Sequence, residues 1–321
     1  MAECVWAGKA FEGWDEYVDE VVQVGAPVQQ AQQSERALTR AGAQVDGHEL
    51  RIAKRNLERE DGDWVDPMFF AEDYTVAAAT GFQVWEGARA VVKLLEEEDS
   101  ALAADLRGRR VLELGSGTGL AGLSASVIGG DVLLTDLPTV TDYSLRPNIA
   151  KNAAAAAAAD SAGAGAATRQ ARSCWPEGHA VGRGSAACMS LDWTADVPSQ
   201  AAAAGVDLGK GEVLLAAECV WLVELVNPFV ATVLALLRAS AGSAGSAAGG
   251  NGGSSGAICY CCYRDRASDQ SAHFAGMAAV VEAFEAQGCS VELVRRMPPL
   301  EQALLGGGGG DILLYRIRAQ E

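Results

Sequence analysis

RVLELGSGTGLAG, residues 110–122, is the stretch on which the fold turns. Val111, Leu112 and Leu114 make the short apolar run of a strand buried on both faces of a parallel sheet. Glycines follow at 115, 117, 119 and 122, and the next segment, LAGLSASVIG, has a helical pattern. Glycine at such places permits positive φ and lets a ligand approach the backbone with no Cβ in the way. The helix behind it presents unpaired N–H groups at its first turn. Strand, glycine turn and helix therefore read as one ligand-binding unit.

Outward from that unit the same alternation repeats. Val84, Ala88, Val91, Val92 and Leu95 recur at i, i+4, i+7, i+8 and i+11, one face of a helix. Its EEEDS tail puts negative charge at the unfavourable end of the dipole, so fraying is expected there. Downstream, DVLLT (131–135) is a strand entering Asp136, and a helix from about Leu145 runs into an alanine tract. AACMSLDW (186–193), EVLLAA (212–217) and ICYCCY (258–263) are further strands. Asn227-Pro228 reads as a helix start, with Asn as the cap and Pro at the first helical position, and that helix should end near Leu237. Residues 272–287 form an amphipathic helix with Phe274, Met277, Val281 and Phe284 along its apolar face. SVELV (290–294) and DILLYRIR (311–318), with no helix between them, suit a closing antiparallel hairpin. The repeated β-α-β order predicts an α/β fold, a mostly parallel sheet with helices on both faces. Residues 1–75 are an acidic, partly irregular extension in which only HELRIAKR (48–55) alternates enough for a strand; 76–321 form the domain, with low-complexity insertions at 153–185 and 239–256.

Composition narrows the partners. With 25 basic against 42 acidic residues in 321, the net charge of −17 repels a phosphate backbone, which argues against nucleic acid and for a locally basic protein partner. No apolar run was expected to reach the ~18–20 residues of a membrane-spanning helix. The acidic N-terminus, MAECVWAGKAFEGWDEYVDE, has neither a basic n-region nor an apolar h-region. Eight cysteines, and three histidines without ligand spacing, argue against a metal site and for reduced thiols, hence a cytoplasmic location with the nucleus also open.

Three ligands compete for the glycine turn. A triphosphate loop needs GxxxxGK[ST], but Leu123 stands where the lysine belongs. GxGxxG, the dinucleotide fingerprint, is present at Gly117, Gly119 and Gly122, with Asp136 19 residues beyond Gly117. That reading leaves an extra Gly115-Ser116 step and no role for Glu113. ExGxGxG, at Glu113, Gly115, Gly117 and Gly119, resembles motif I of the seven-strand S-adenosylmethionine methyltransferases. Glu113 as a buried network residue, and Asp136 as a turn former ahead of Leu137-Pro138, are the alternatives without a ligand.

Flanking residues extend the resemblance. TGFQVW (80–85), LELGSGTGL, LLTDLP (133–138), LDW (191–193) and LLAAECVW (214–221) occur in one order. From about residue 80 to 318 the chain is similar to methyltransferase family 16, the methyltransferase-like 21 protein-lysine methyltransferases. The resemblance implies a Rossmann-like seven-stranded sheet, S-adenosyl-L-methionine as methyl donor and a lysine of another protein as acceptor. It also implies that Trp85 lies near the donor, Gly115, Ser116 and Gly117 hold its methionine part, and Asp136 holds its ribose. Trp193 would lie beside the adenine, and Ala217 closes the fourth strand. The family's Asp-x-x-Tyr is here Glu218-Cys219-Val220-Trp221. Glu218 would hold and orient the incoming ammonium, and Trp221 would flank it by a cation–π contact; Cys219 reads as an apolar filler. Base methyltransferases carry [DNS]-P-P-[YF] after that strand, and AECVW is not that motif. An NAD-linked oxidoreductase and a non-catalytic protein-binding module remain the other classes.

Overall fold

The computed structural model describes residues 17–24, 48–55, 80–97, 99–161, 173–244, 256–264, 273–300 and 310–320. Strands β1 (Tyr17–Val24) and β2 (His48–Arg55) pair antiparallel, from Tyr17 opposite Arg55 to Val24 opposite His48. Then come α1 (Glu86–Glu96), α2 (Ala101–Leu106), β3 (Arg110–Leu114), α3 (Leu120–Val127) and β4 (Asp131–Asp136). A helical turn at Pro138–Val140 and a π-helical stretch at Thr141–Leu145 lead into α4 (Arg146–Ser161). β5 (His179–Val181), β6 (Gly184–Ser190), α5 (Val197–Ala203), β7 (Val213–Ala217) and α6 (Val223–Ala244) follow. β8 (Ile258–Arg264), α7 (Met277–Ala286), β9 (Cys289–Met297) and β10 (Ile312–Ala319) close the described chain.

The main sheet has the order β5-β6-β4-β3-β7-β8-β10-β9. From β6 through β8 neighbours are parallel, and β10 enters antiparallel between β8 and β9. Seven strands were expected and eight occur among the described residues. The eighth is β5, three residues antiparallel to β6 in a stretch that reads as low complexity. Gly182, at φ +58, makes the tight turn between them, and a Cβ there would lie 2.5 Å from the Val127 Cα.

Alternation along each strand divides the core. Val111, Val132, Leu134, Val213 and Leu215 face α1, α2, α3 and α4, whereas Leu112, Leu114, Leu133, Leu214 and Ala216 face α6 and α7. Helix α3 is buried along its whole length, as an all-round apolar helix must be. The N-terminal hairpin shares the first of these cores through Val24, Leu50 and Ile52, which are 0–1% exposed. Each such side chain contributes about 1.5–3 kcal/mol of burial. β2 is the strand expected at HELRIAKR (48–55), and β1, its partner at Tyr17–Val24, is what the sequence reading of 1–75 lacked.

Helix boundaries differ from expectation at three places, one of them the end of α6, which runs to Ala244 rather than stopping near Leu237. Pro228 is the sixth residue of α6, not its first, because the chain at 221–223 is pinned against 273–275: Val223 N–H donates to His273 O (2.9 Å) and Ala275 N–H to Trp221 O (2.9 Å). That bridge starts the helix at Val223, and the carbonyl that Pro228 cannot serve belongs to exposed Glu224, where water reaches it. The same bridge holds Phe274 outside α7, which begins at Met277. A further difference concerns hydropathy. Residues Val223–Ser240 have mean hydropathy 1.4, as apolar as a membrane span, yet Phe229, Val230, Val233, Leu234 and Leu237 are packed on the sheet.

Candidate functional site

β3 has β4 on one side and β7 on the other, so the crossovers leave it in opposite directions and open a crevice at its carboxyl end. A cleft of about 850 Å³, counting space open to solvent, lies there. Trp85, Glu113, Gly115, Ser116, Gly117, Asp136, Trp193, Ala217, Glu218 and Trp221 all line it. Gly119 does not. It starts α3 at φ +83, and a Cβ there would meet Leu134 Cδ2 at 3.0 Å and Leu145 Cδ2 at 3.1 Å, so its role is to let the turn enter the helix against the core.

The turn is built by backbone bonds. Ser116 N–H donates to Thr135 O (3.0 Å) and Thr135 N–H to Ser116 Oγ (3.1 Å), which fixes it to β4. Gly119 N–H returns to Ser116 O at 2.8 Å. Gly115 has φ +63, and a Cβ on it would stand 2.4 Å from Cys219 Cβ and 3.2 Å from the Trp193 ring. Only glycine fits between these two neighbours.

Two carboxyl groups lie beneath. Asp136 Oδ2 accepts Gly117 N–H at 2.7 Å and Oδ1 accepts Leu137 N–H at 2.8 Å. Each oxygen keeps a second lone pair for a ligand. Burial pushes the Asp136 carboxyl up to about 6, against those two hydrogen bonds. Glu113, 1% exposed, lies against Gly122, where a Cβ would sit 2.4 Å from Oε2. Burial raises its carboxyl to about 8; the charge of Asp136 adds to this, and bonds with Ser116 and Gly122 oppose it.

Aromatic residues frame the opening. Trp85, the residue before α1, donates its indole N–H to Thr80 O at 2.9 Å. Trp193 packs on Phe229, ring centres 5.2 Å apart, and its buried Nε1 has no hydrogen-bond partner among the described residues. Trp221 stacks on Phe274 (5.9 Å, 29°), which is 61% exposed. Glu218 sits at φ +51 and its carboxylate accepts the N–H of Gly87, so it caps the first turn of α1 rather than a turn ahead of α6.

Sequence reasoning passed over several residues of this cleft. Thr80, Gly81 and Gln83 line it, and Gly81 O lies 3.1 Å from where a Gly117 Cβ would be. Asp192 lines it too, its Oδ1 accepting Thr194 N–H at 2.8 Å. The motifs TGFQVW and LDW contained these positions, but nothing in them marked which residues turn inward. Among the described residues no cluster of ligating side chains suits a metal.

The family profile described as Lysine methyltransferase matches residues 66–163. Over 106 residues the chain is 35% identical to EEF1A lysine methyltransferase 3 of Mus musculus, covering 33% of this chain and 36% of that protein. Over 69 residues it is 38% identical to the Xenopus tropicalis protein of the same name, and equally to Protein N-lysine methyltransferase METTL21A of Danio rerio; each match covers 22% of this chain and 29% of the relative. The chain thus spans about a third of the length of the curated relatives it matches. Among solved structures, precorrin-6y C5,15-methyltransferase from Geobacter metallireducens GS-15 superposes with a TM-score of 0.38 at 11% identity, over 72% of this chain and 87% of that one. The stretch matched by the Lysine methyltransferase profile, residues 66–163, holds Trp85, the glycine turn and Asp136.

Proposed function

We propose that the protein is an S-adenosylmethionine-dependent N-methyltransferase that acts on a lysine side chain of another protein. The observation that carries this reading is the pair of carboxyl groups, buried Glu113 and half-buried Asp136, directly under a glycine turn whose Gly117 N–H is already taken by Asp136. At neutral pH a pyrophosphate would meet the charge of Asp136 and find the Gly117 donor occupied, which disfavours NAD. A sulfonium bearing an amino group meets the complementary field. When bound, the donor supplies an electrophilic methyl group.

The chain's own residues supply position and polarity. Asp136 would take the ribose hydroxyls, Ser116 and Gly117 the amino-acid end, and Trp193 the adenine face. Its buried indole N–H, without a hydrogen-bond partner among the described residues, is a donor available to a ligand. Trp221 stands at the mouth, where an aromatic wall disfavours the charged form of lysine and so favours loss of the proton that blocks its lone pair. Glu218 would act mainly by holding α1 and Trp85 in place, since its carboxylate is engaged by Gly87.

The relatives' names make elongation factor 1A the first acceptor to try. The protein's net charge of −17 supports a locally basic face on whatever acceptor it takes, and the unpaired thiols among the described residues support a cytoplasmic location. Melting the protein with S-adenosylmethionine or NAD tests the donor, because a ligand of the folded state raises the midpoint by mass action. Labelled donor in a lysate, followed by mass spectrometry, tests the acceptor. A shift with NAD alone, or label on no lysine, would overturn the reading.

A further inference from the structure

Asn148 and Asn152 lie one turn apart on α4 and are 0% and 1% exposed. Both grip β2 along the edge that β1 leaves open. Asn148 accepts Ala53 N–H (2.8 Å) and donates to Ala53 O (3.1 Å); Asn152 accepts Arg51 N–H (2.9 Å) and donates to Arg51 O (3.0 Å). A side-chain amide carries the same donor and acceptor as a peptide, so the two asparagines stand in for a neighbouring strand.

Their remaining N–H groups differ. Asn152 turns its own to Asn148 O at 2.8 Å, within the helix. Asn148 donates to Thr118 O at 2.9 Å, in the middle of the glycine turn. Thr118 is 2% exposed, so this carbonyl has no water to fall back on. The next amide, Gly119 N–H, is held by Ser116 O, which fixes that peptide plane at both ends.

We propose that Asn148 is a positioning residue of the donor site, through which the N-terminal hairpin sets the shape of the Gly115–Gly119 turn. The inference rests on the donor reading above for its functional consequence, but the coupling itself is a property of the chain alone. With the bond to Thr118 removed, the peptide rotates to find another donor and takes the Gly117 and Gly119 amides with it. Molecules in that state do not bind, and apparent affinity falls by the fraction that remains competent.

Asn148→Ala and Asn152→Ala form the test, because each removes one clamp on β2 and only the first touches the turn. Amide exchange should accelerate at 117 and 119 in Asn148→Ala, and the dissociation constant for S-adenosylhomocysteine should rise roughly tenfold. Asn152→Ala should lower the melting temperature comparably and leave both readouts within about twofold of the parent. Equal effects of the two variants on exchange and affinity would overturn the proposal in favour of plain hairpin stabilisation. If Asn148→Ala does not fold, the unmodified protein decides. Coupling is reciprocal, so S-adenosylhomocysteine should slow exchange at Ala53, which does not line the cleft; protection confined to the cleft overturns the link. A parent that binds neither S-adenosyl compound overturns the donor reading alone, and the exchange comparison between the variants still decides the coupling.

Discussion

The carboxylate of Glu218, at the end of β7, accepts the backbone N–H of Gly87 in the first turn of α1. It joins the two walls of the cleft, and it does so from a left-handed backbone, φ +51, that a residue with a Cβ rarely adopts. Strain held at the end of a strand beside a cleft is tolerated where other contacts over-determine it. Here Glu218 N–H to Cys262 O (2.9 Å) and the helix cap supply those contacts.

Shortening this acid should therefore be felt in stability as well as in turnover. Glu218→Asp loses reach to Gly87 and leaves a buried N–H unpaired, at a cost on the order of 1–3 kcal/mol. Glu218→Gln keeps an acceptor and should lose less than half of that. Urea unfolding of the three proteins measures it. An Asp variant as stable as the parent would remove the brace from the account.

Gly115→Ala should abolish donor binding and destabilise the fold. A left-handed alanine costs about 1–2 kcal/mol, and its Cβ would overlap Cys219 Cβ at 2.4 Å. Adding Cys219→Gly makes room and should recover part of the stability, though not the conformational cost. Thermal melts of single and double variants check the coupling.

Stability should fall as pH rises from about 4 to about 8. The carboxyl of Asp136 moves from 3.8 to about 6 on folding, and that of Glu113 from 4.5 to about 8. Both are raised, so the folded state binds these protons more tightly than the unfolded chain. Their contribution is whole below the unfolded values and is lost as pH passes the folded ones. A cationic donor reverses the trend, releasing protons as it binds, so S-adenosylmethionine should gain on neutral-sulfur S-adenosylhomocysteine between pH 5 and 8. Calorimetry in buffers of different ionisation enthalpy reads the released protons. Glu113→Gln should flatten the upper part of the profile; an unchanged slope would mean other groups set it.

Trp193→Phe should leave the melting temperature unchanged or slightly higher, because it deletes an indole N–H that has no partner among the described residues. If that N–H serves the donor, affinity should drop by about fivefold to tenfold at unaltered stability. Trp193→Ala also empties the contact with Phe229 and should cost about 3–5 kcal/mol of stability. Titration of both variants with S-adenosylhomocysteine separates the polar contribution from the packing one.

Much of this architecture is local. Apolar runs such as Val111–Leu114 and Val213–Ala217 carry their strand character in a few adjacent residues, and the glycines after Leu114 announce a turn wherever they are placed. The parallel sheet, the glycine turn and the acid ending β4 were accordingly legible in the sequence. Other features depend on partners distant in the chain. Glu218 meets Gly87 across 131 positions, and Asn148 meets Ala53 across 95. Phe274 lies on an apolar helical period, but its pairing with Leu222 holds it out at the cleft mouth, and the same bridge moved the start of α6 ahead of Pro228. Periodicity reports only which face of an element prefers burial. Which backbone group a buried polar side chain satisfies is decided when the elements pack, since the cost of leaving it unpaired exists only once water is gone.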